Sequence, residues 1–501
     1  VKIKVGNKKE IFMNISGIKL GLMTLFNVVF VIVFGYILLN TSIFPFKIFK
    51  IMNPVVILLG VIIVLSGLYF LNKRLEKCNE KRLMVISIGS FIILIILQFF
   101  FARYFTVNPT WDFGKVYDEA YDLSIQFRQI DQYFYFYCPN NLPILLLVTG
   151  LFKIFRFMGF TDLLKPLIVV NLSIVFLSVW IMYLFIKEMY GLQRATLFSI
   201  LSILITPFYT YTTIVYTDTL GMILPILSLY LYAKIYRSPK KEIGLLVTLG
   251  LVLGLGGLLK THALVVLVAI LIHYFLTRKD GFIRLSAPLI LMVLVTMMSY
   301  KLAIKPLIPV ASSEVGFPKT HWVMIGLKGL GGYDDEDTNM TRFLKDSGWS
   351  NDEIQAQHIR LMKERLEAFG VGGFINHLNS KLNFTWSDGT YFAPEKLKRE
   401  PIVTNNYQDY IFGDKNLPYL YLSQMVHVVI LFLMWLSSIR ILKDKLCFES
   451  VMTISVFGVM LFLLIWETRS RYLMIYLPVF VVLASYGFGE FTQMIQKIKR
   501  Q

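Results

Sequence analysis

The sequence predicts an all-α polytopic membrane protein: a bundle of about twelve transmembrane helices carrying one extracytoplasmic soluble insertion. Three observations predict it. Of 501 residues, 56% are hydrophobic, with a mean hydropathy of +0.63, which is more apolar surface than a soluble core can hide. Apolar runs long enough to cross a bilayer recur along most of the chain. Lys and Arg, which give a formal net charge of +18, gather in the short connections between those runs, where they orient a membrane protein. That distribution accounts for the charge without nucleic acid as a partner. Cys78, Cys138 and Cys447 lie far apart without metal-ligand spacing, so neither a disulfide framework nor a zinc site is indicated.

The basic segment 1–9 precedes a first apolar run, 18–40, that has no small-residue cleavage site and is expected to stay as an anchor. Runs at 52–71 and 83–104 follow, joined by the basic connector 72–82, which belongs in the cytoplasm. With residues 1–9 also inside, the third run leads out and opens a large outer loop, 105–165. This loop begins with Asn108-Pro109-Thr110-Trp111-Asp112-Phe113-Gly114-Lys115-Val116-Tyr117-Asp118-Glu119. Runs 166–186, 195–215 and 217–236 are bounded by basic segments 187–194 and 237–241, both read as cytoplasmic. The chain must therefore still be outside at residue 165. That parity lays 141–159, which carries Lys153 and Arg156, along the outer surface as an amphipathic juxtamembrane helix.

Runs 243–258 and 262–276 pair through an outer turn at Lys260-Thr261-His262, Arg278-Lys279-Asp280 returns to the cytoplasm, and 285–304 leads out again. From 305 to 418 charged and polar residues dominate, and this is the soluble insertion. Within it, 351–369 has helical spacing with acids and bases four apart. Asp334-Asp335-Glu336-Asp337 lacks the spacing of a calcium loop and reads as a solvated turn or a cation site. The closing runs 419–439, 449–466 and 472–488 alternate with the basic loop 440–445 inside and the turn Glu467-Thr468-Arg469-Ser470-Arg471 outside. The chain thus divides into N-terminal helices (1–82), a transmembrane core (83–304), the insertion (305–418) and C-terminal helices (419–501), with both ends cytoplasmic.

One face collects the charges that span ends carry: Asp112, Asp218, Lys260, Glu467, Arg469 and Arg471. A charge deep in hydrocarbon costs roughly 2.5–3.5 kcal/mol on insertion scales and is seldom kept without a partner or a task. Asp112, just beyond the hydrocarbon, is placed to act as a base on a lipid-borne substrate. The alternative is structural: Trp111 and the tyrosines as an interfacial belt, with the charges snorkelling at helix ends. In the insertion, His321 and Trp322 of Lys319-Thr320-His321-Trp322 could stack on and hydrogen-bond a sugar, or be packed aromatics of an ordinary fold.

Taken in order, Trp111-Asp112-Phe113-Gly114 with the proline-containing segment 139–143, Tyr216-Thr217-Asp218-Thr219-Leu220, Lys260 closing a span, and 467–472 followed by Pro478 resemble the GT-C superfamily of polytopic glycosyltransferases. The likeness is to bacterial relatives of protein O-mannosyltransferases and aminoarabinose transferases. It implies a GT-C-like bundle in the plasma membrane and an outward-facing active site. The implied activity is inverting transfer of a sugar from a polyprenyl-phosphate donor to an acceptor hydroxyl on a cell-wall glycan, teichoic acid, lipid or protein. Asp112 would be the base, Arg469 and Arg471 would hold phosphate oxygens, and Lys260 would add a point charge. Asp218 would orient the acceptor or help hold a divalent cation, which a singly charged lipid phosphate need not require. The chain departs from the family in two ways: two spans precede the one that leads into the acidic loop, and the Asp-Glu doublet, Asp118-Glu119, follows Asp112 at a distance, so either position could supply the base. A lipid-linked glycan flippase and a polysaccharide polymerase are the competing functions. The first would keep its charges at mid-membrane on broken helices.

Overall fold

The computed structural model describes residues 8–45, 52–126, 128–237, 242–278, 280–444 and 446–500. Of the basic markers used to orient the chain, residues 1–7, 238–241, Lys279 and Lys445 lie outside the described residues.

The first three apolar runs fold as α1 (Lys8–Ile43), α2 (Pro54–Leu75) and α3 (Glu80–Tyr104). Asparagine side chains start two of them: Asn53 Oδ1 accepts the Val55 N–H at 2.9 Å and Asn79 Oδ1 accepts the Arg82 N–H at 2.9 Å. The outer loop forms α4 (Trp111–Ile125) and α5 (Leu142–Phe157). They pack on each other through Val116, Ala120 and Leu123 against Leu145, Val148 and Phe152, a hydrophobic cluster separate from the main one. The segment Pro139–Phe157 is also long and apolar enough to cross a membrane.

Next come α6 (Leu164–Tyr190), α7 (Leu192–Leu204), α8 (Pro207–Thr210), α9 (Thr217–Leu220), α10 (Ile223–Arg237), α11 (Glu242–Leu259), α12 (Val265–Thr277) and α13 (Phe282–Ile304). The expected continuous span 195–215 is not one helix. Pro207 has no N–H to give the preceding turn and its ring crowds that turn, so α7 stops at Leu204 and irregular backbone fills 211–216. Among the described residues nine segments are long and apolar enough to span, and four shorter apolar helices accompany them, so the count of twelve is not reproduced.

The insertion holds α14 (Thr320–Gly326), α15 (Asp335–Asp346), α16 (Asn351–Trp386) and α17 (Ala393–Leu397). Helix α16 starts where its pattern predicts, with Ser350 and Glu353 forming a capping box, but runs on to Trp386 through a break at Gly370, whose φ of 56° a glycine adopts without strain. The acidic cluster is a capped helix start. Asp334 accepts the Asp337 N–H and Lys328 Nζ, and Asp337 takes both guanidinium nitrogens of Arg365 at 2.8 and 2.7 Å. Among the described residues no group of three or more His, Cys, Asp or Glu side chains is arranged to hold a metal ion.

The chain closes with α18 (Leu417–Asp444), α19 (Ser450–Ile465) and α20 (Leu477–Ile498). Helices α18 and α20 pack together at Gly487, where a Cβ would meet the Leu433 carbonyl at 1.8 Å. The outer loop and the insertion are tied by an antiparallel bridge, Val107 to Pro401, flanked by Asn108 N–H to Glu400 O and Ile402 N–H to Thr106 O, both 3.0 Å, and again where Gly316 N–H donates to Tyr135 O at 2.9 Å.

Candidate active site

That bridge fixes the approach to Asp112. Four residues beyond Val107, Trp111 opens α4 at φ 56°, a left-handed backbone that costs a bulky residue about 1 kcal/mol or more. Its ring lies under the Arg399 guanidinium, with Lys396 Nζ 4.6 Å from the ring centroid. Asp112 then stands in the first turn of α4, its carboxylate exposed at the positive end of the helix dipole.

One hydroxyl holds that carboxylate, and an amide orients the hydroxyl. Tyr133 Oη donates to Asp112 Oδ1 at 2.8 Å, and Asn141 Nδ2 donates to Tyr133 Oη at 2.9 Å. Tyr216 Oη lies 3.4 Å from Asp112 Oδ2 but only 2.7 Å from Asn141 Oδ1. A hydroxyl has one proton, so Tyr216 gives it to the nearer amide and leaves Oδ2 with accepting capacity. Asp112 lines a cleft of about 530 Å³ of empty volume, counted out into open solvent, with Trp111, Thr213, Tyr216, Lys396 and Arg471 among its walls. The irregular stretch after α8 supplies the wall from Thr213 to Tyr216.

Arg471 arrives from the other end of the chain on the turn between α19 and α20, and the insertion holds that turn. Glu467 N–H donates to Trp322 O at 3.0 Å, Thr468 N–H to Gly331 O at 2.8 Å, and Ser470 Oγ to Asp388 Oδ2 at 2.7 Å. Buried Lys381 donates to the carbonyls of Gly326 (2.8 Å) and Trp466 (2.9 Å), and burial pushes its amine down to about 8. Gly331, at φ 78°, is where that lysine's stem passes, 2.6 Å from where a Cβ would sit. Glu467 is buried and accepts the Tyr472 hydroxyl at 2.7 Å; burial raises its carboxyl. Arg469 lies over the Phe392 ring at 4.2 Å, and the buried Nε of Arg471 has no partner.

Asp218 and Lys260 form a buried ion pair behind this wall, with Lys260 Nζ 4.8 Å from the Tyr472 ring centroid. The structure therefore brings Asp112, Asp218, Lys260, Glu467, Arg469 and Arg471 into one neighbourhood, with only Asp112 and Arg471 on the cleft surface. Asp118 points to solvent away from it, and Glu119 is taken by Arg128 at 2.7 Å and by the Asp131 N–H at 3.0 Å. His321 is sealed in the insertion core, its Nδ1 2.9 Å from Thr341 Oγ1 and its ring packed on Phe317, while Trp322 serves the turn through its carbonyl. Neither lines the cleft.

Sequence reasoning missed Lys396, Arg399, Tyr133 and Asn141. A signal for the first two was there: Lys396-Leu397-Lys398-Arg399 is a basic run outside the short connections where orienting charges belong. Burial, and then Arg471 and Arg399, push the Lys396 ammonium well below its ordinary range; burial and Arg471 bring Arg399 down to about 10. One Nη of Arg399 is buried without a partner. Cations that repel one another and keep orphaned donors make a site for an anion.

Residues 13–491 match the model of a family described as conserved hypothetical integral membrane proteins. The chain belongs to that family. It is a multi-pass, all-α integral membrane protein. No curated protein matches it by sequence. Among solved structures it is similar to the archaeal oligosaccharyltransferase AglB from Archaeoglobus fulgidus in complex with an inhibitory peptide and a dolichol-phosphate, at 13% identity and a TM-score of 0.45 over 83% of this chain and 51% of that one. It is similar also to an Archaeoglobus fulgidus oligosaccharyltransferase tethered with an acceptor peptide (12%, TM-score 0.42, 82% and 49% of the two chains). A third is ArnT from Cupriavidus metallidurans bound to undecaprenyl phosphate (12%, TM-score 0.35, 82% and 78%). The chain spans about half the length of the oligosaccharyltransferases, 51% and 49%.

Proposed function

We propose that this protein is a membrane glycosyltransferase of the GT-C type that moves a sugar, with inversion, from a polyprenyl-phosphate donor to an acceptor hydroxyl at the outer face of the plasma membrane. One observation carries the reading: among the described residues lining the cleft, Asp112 is the one carboxylate, and it faces the cations Arg471 and Lys396. A base and an anion site are the two groups that such a transfer needs at opposite ends of the reacting bond.

In the proposed step, Asp112 Oδ2 takes the proton of the acceptor hydroxyl as its oxygen attacks the sugar carbon. The bond from that carbon to the lipid-phosphate oxygen breaks, and its electron pair stays on the phosphate. Arg471 and Lys396 meet the charge that develops there, with Arg469 and Arg399 behind them. The acceptor would be a glycan, teichoic acid, lipid or protein hydroxyl. The acids at hand do not make a cation site, because Asp218 already holds the Lys260 ammonium and Asp112 Oδ1 a tyrosine hydroxyl. Asp218 and Lys260 are then supports for the arginine wall, and no step is routed through a metal.

The test is transfer of radiolabelled sugar from polyprenyl phosphate by purified protein in lipid, using cell-wall material as acceptor. Asp112→Asn should lower turnover by about 10² to 10⁴ while donor binding persists, and Arg471→Met should weaken donor binding itself. Transfer unchanged in Asp112→Asn overturns the assignment, as it would for a flippase or a polymerase indifferent to that acid.

A further inference from the structure

The second half of α16 differs from the first in a way that the insertion's solvated reading does not explain. Residues 351–370 contain seven charged side chains; residues 371–386 contain one, Lys381, and that one is buried facing inward. The change falls at the Gly370 break, which re-aims the helix. Past it, Val371 is 82% exposed and Ile375 is 60% exposed.

The rest of this half-helix fixes which way those two residues look. His377, Lys381 and Thr385, spaced by four, bond to Gly326 O, to the Trp466 carbonyl and to the Thr468 hydroxyl, so that stripe faces the arginine turn. At 100° per residue, Ile375 lies about 200° from His377, on the opposite side.

The level of this half-helix is set by α1. Asn379 Oδ1 accepts hydrogen bonds from Tyr36 Oη and from Asn40 Nδ2, Thr41 bonds Ser387, and Phe34 packs edge-on against Trp386. All four α1 residues belong to the apolar segment Gly17–Ile43, in its last three turns. On the same part of α1, Leu39 is 60% exposed, as a lipid-facing residue should be.

We infer that residues 371–375 of α16 rest in the interfacial layer of the bilayer, so that the insertion is seated in the membrane beside α1 and does not stand clear of it in solvent. The partner is a lipid surface: the patch is apolar, free of charge, and continuous with the exposed side of a transmembrane helix. An apolar helix face of this kind sits about 5–10 Å into the headgroup and acyl boundary. Because the following turns of the same half-helix, through Lys381 and Thr385, hold the turn that carries Arg471, the bilayer and the cleft wall share one rigid element. The inference stands whether or not the protein transfers sugars.

The test uses the full chain in lipid nanodiscs, with Cys78, Cys138 and Cys447 replaced by alanine and a single environment-sensitive fluorophore attached through Val371→Cys or Ile375→Cys. Leu39→Cys on α1 reports lipid, and Asp352→Cys on the charged half of α16 reports water. Quenching at 371 and 375 by shallow nitroxide lipids to at least half the extent seen at 39, with iodide quenching several-fold weaker than at 352, is the expected result. Iodide quenching equal to that at 352 overturns the inference. So does shielding from both quenchers, which would mean a second copy or another protein covers the patch. No outcome depends on transfer, so failure here leaves the proposed function to its own test.

Discussion

Two stretches of this molecule read alike in sequence and fold into opposite environments. Asp112, in Trp111-Asp112-Phe113, and Asp218, in Thr217-Asp218-Thr219, are both lone acids at the ends of apolar runs, assigned to the same face. In the structure Asp112 sits exposed in a cleft and is touched by neutral donors, whereas Asp218 is buried and neutralised by Lys260. The difference lies in what arrives from elsewhere in the chain: a tyrosine hydroxyl in one case, an ammonium in the other. An acid left charged and accessible can do proton work; an acid paired in a low dielectric holds structure.

The comparison can be broken most directly at the two acids. The loss of about 10² to 10⁴ in turnover expected for Asp112→Asn should come without any change in thermal melting of the solubilised protein, because no buried charge is uncovered. Asp218→Asn leaves Lys260 buried without its counter-charge and should destabilise by about 3–5 kcal/mol, read as a large drop in melting temperature. Removing both charges, Asp218→Leu with Lys260→Met, should recover most of that loss. If Asp112→Asn melts as early as Asp218→Asn, the two acids are alike after all.

A third buried charge sharpens the contrast. Among the described residues the Lys381 ammonium donates to backbone carbonyls, and burial, partly opposed by the Glu467 carboxyl, pushes its pKa down to about 8, below the 10.5 of a free lysine. Between those values the unfolded chain holds the proton more tightly, so stability should be lowest below pH 8 and rise towards pH 10.5, by up to about 1.4 kcal/mol per unit. Denaturation at several pH values in this window should show a rise that Lys381→Met flattens. Smaller effects follow at the rim. Tyr133→Phe removes one hydrogen bond to the Asp112 carboxylate and should slow turnover about tenfold. Glu119→Gln weakens a pair whose arginine is nearly half exposed and should shift stability by about 1 kcal/mol or less, with turnover unchanged, since Glu119 is outside the cleft.

Much of the candidate site was legible because charged residues in an apolar chain are rare and each one stands out. Asp112, Asp218, Lys260, Glu467, Arg469 and Arg471 could be named from that rarity alone, and they gather in one neighbourhood. Which of them face the cleft could not be read, since that depends on side-chain direction and on partners hundreds of residues away. Lys396 and Arg399 were hidden by lying in a polar insertion, where a basic run is unremarked. Tyr133 and Asn141 were hidden by being ordinary residues whose only distinction is a hydrogen bond. His321 stood out as a histidine beside a tryptophan, yet Thr341 and Phe317 close over it.

The sequence by itself determined that this is a helical integral membrane protein and roughly where most of its helices lie, because hydropathy and the alternation of basic connections are properties of short segments. Only the tertiary structure decided that the run at 195–215 breaks at Pro207 to wall the cleft, that α16 continues past Gly370, and that Asp112 bonds a tyrosine hydroxyl while Asp218 pairs with an ammonium. Each of those outcomes turns on a contact between segments distant in the chain, and no local pattern encodes which distant group will reach a given side chain.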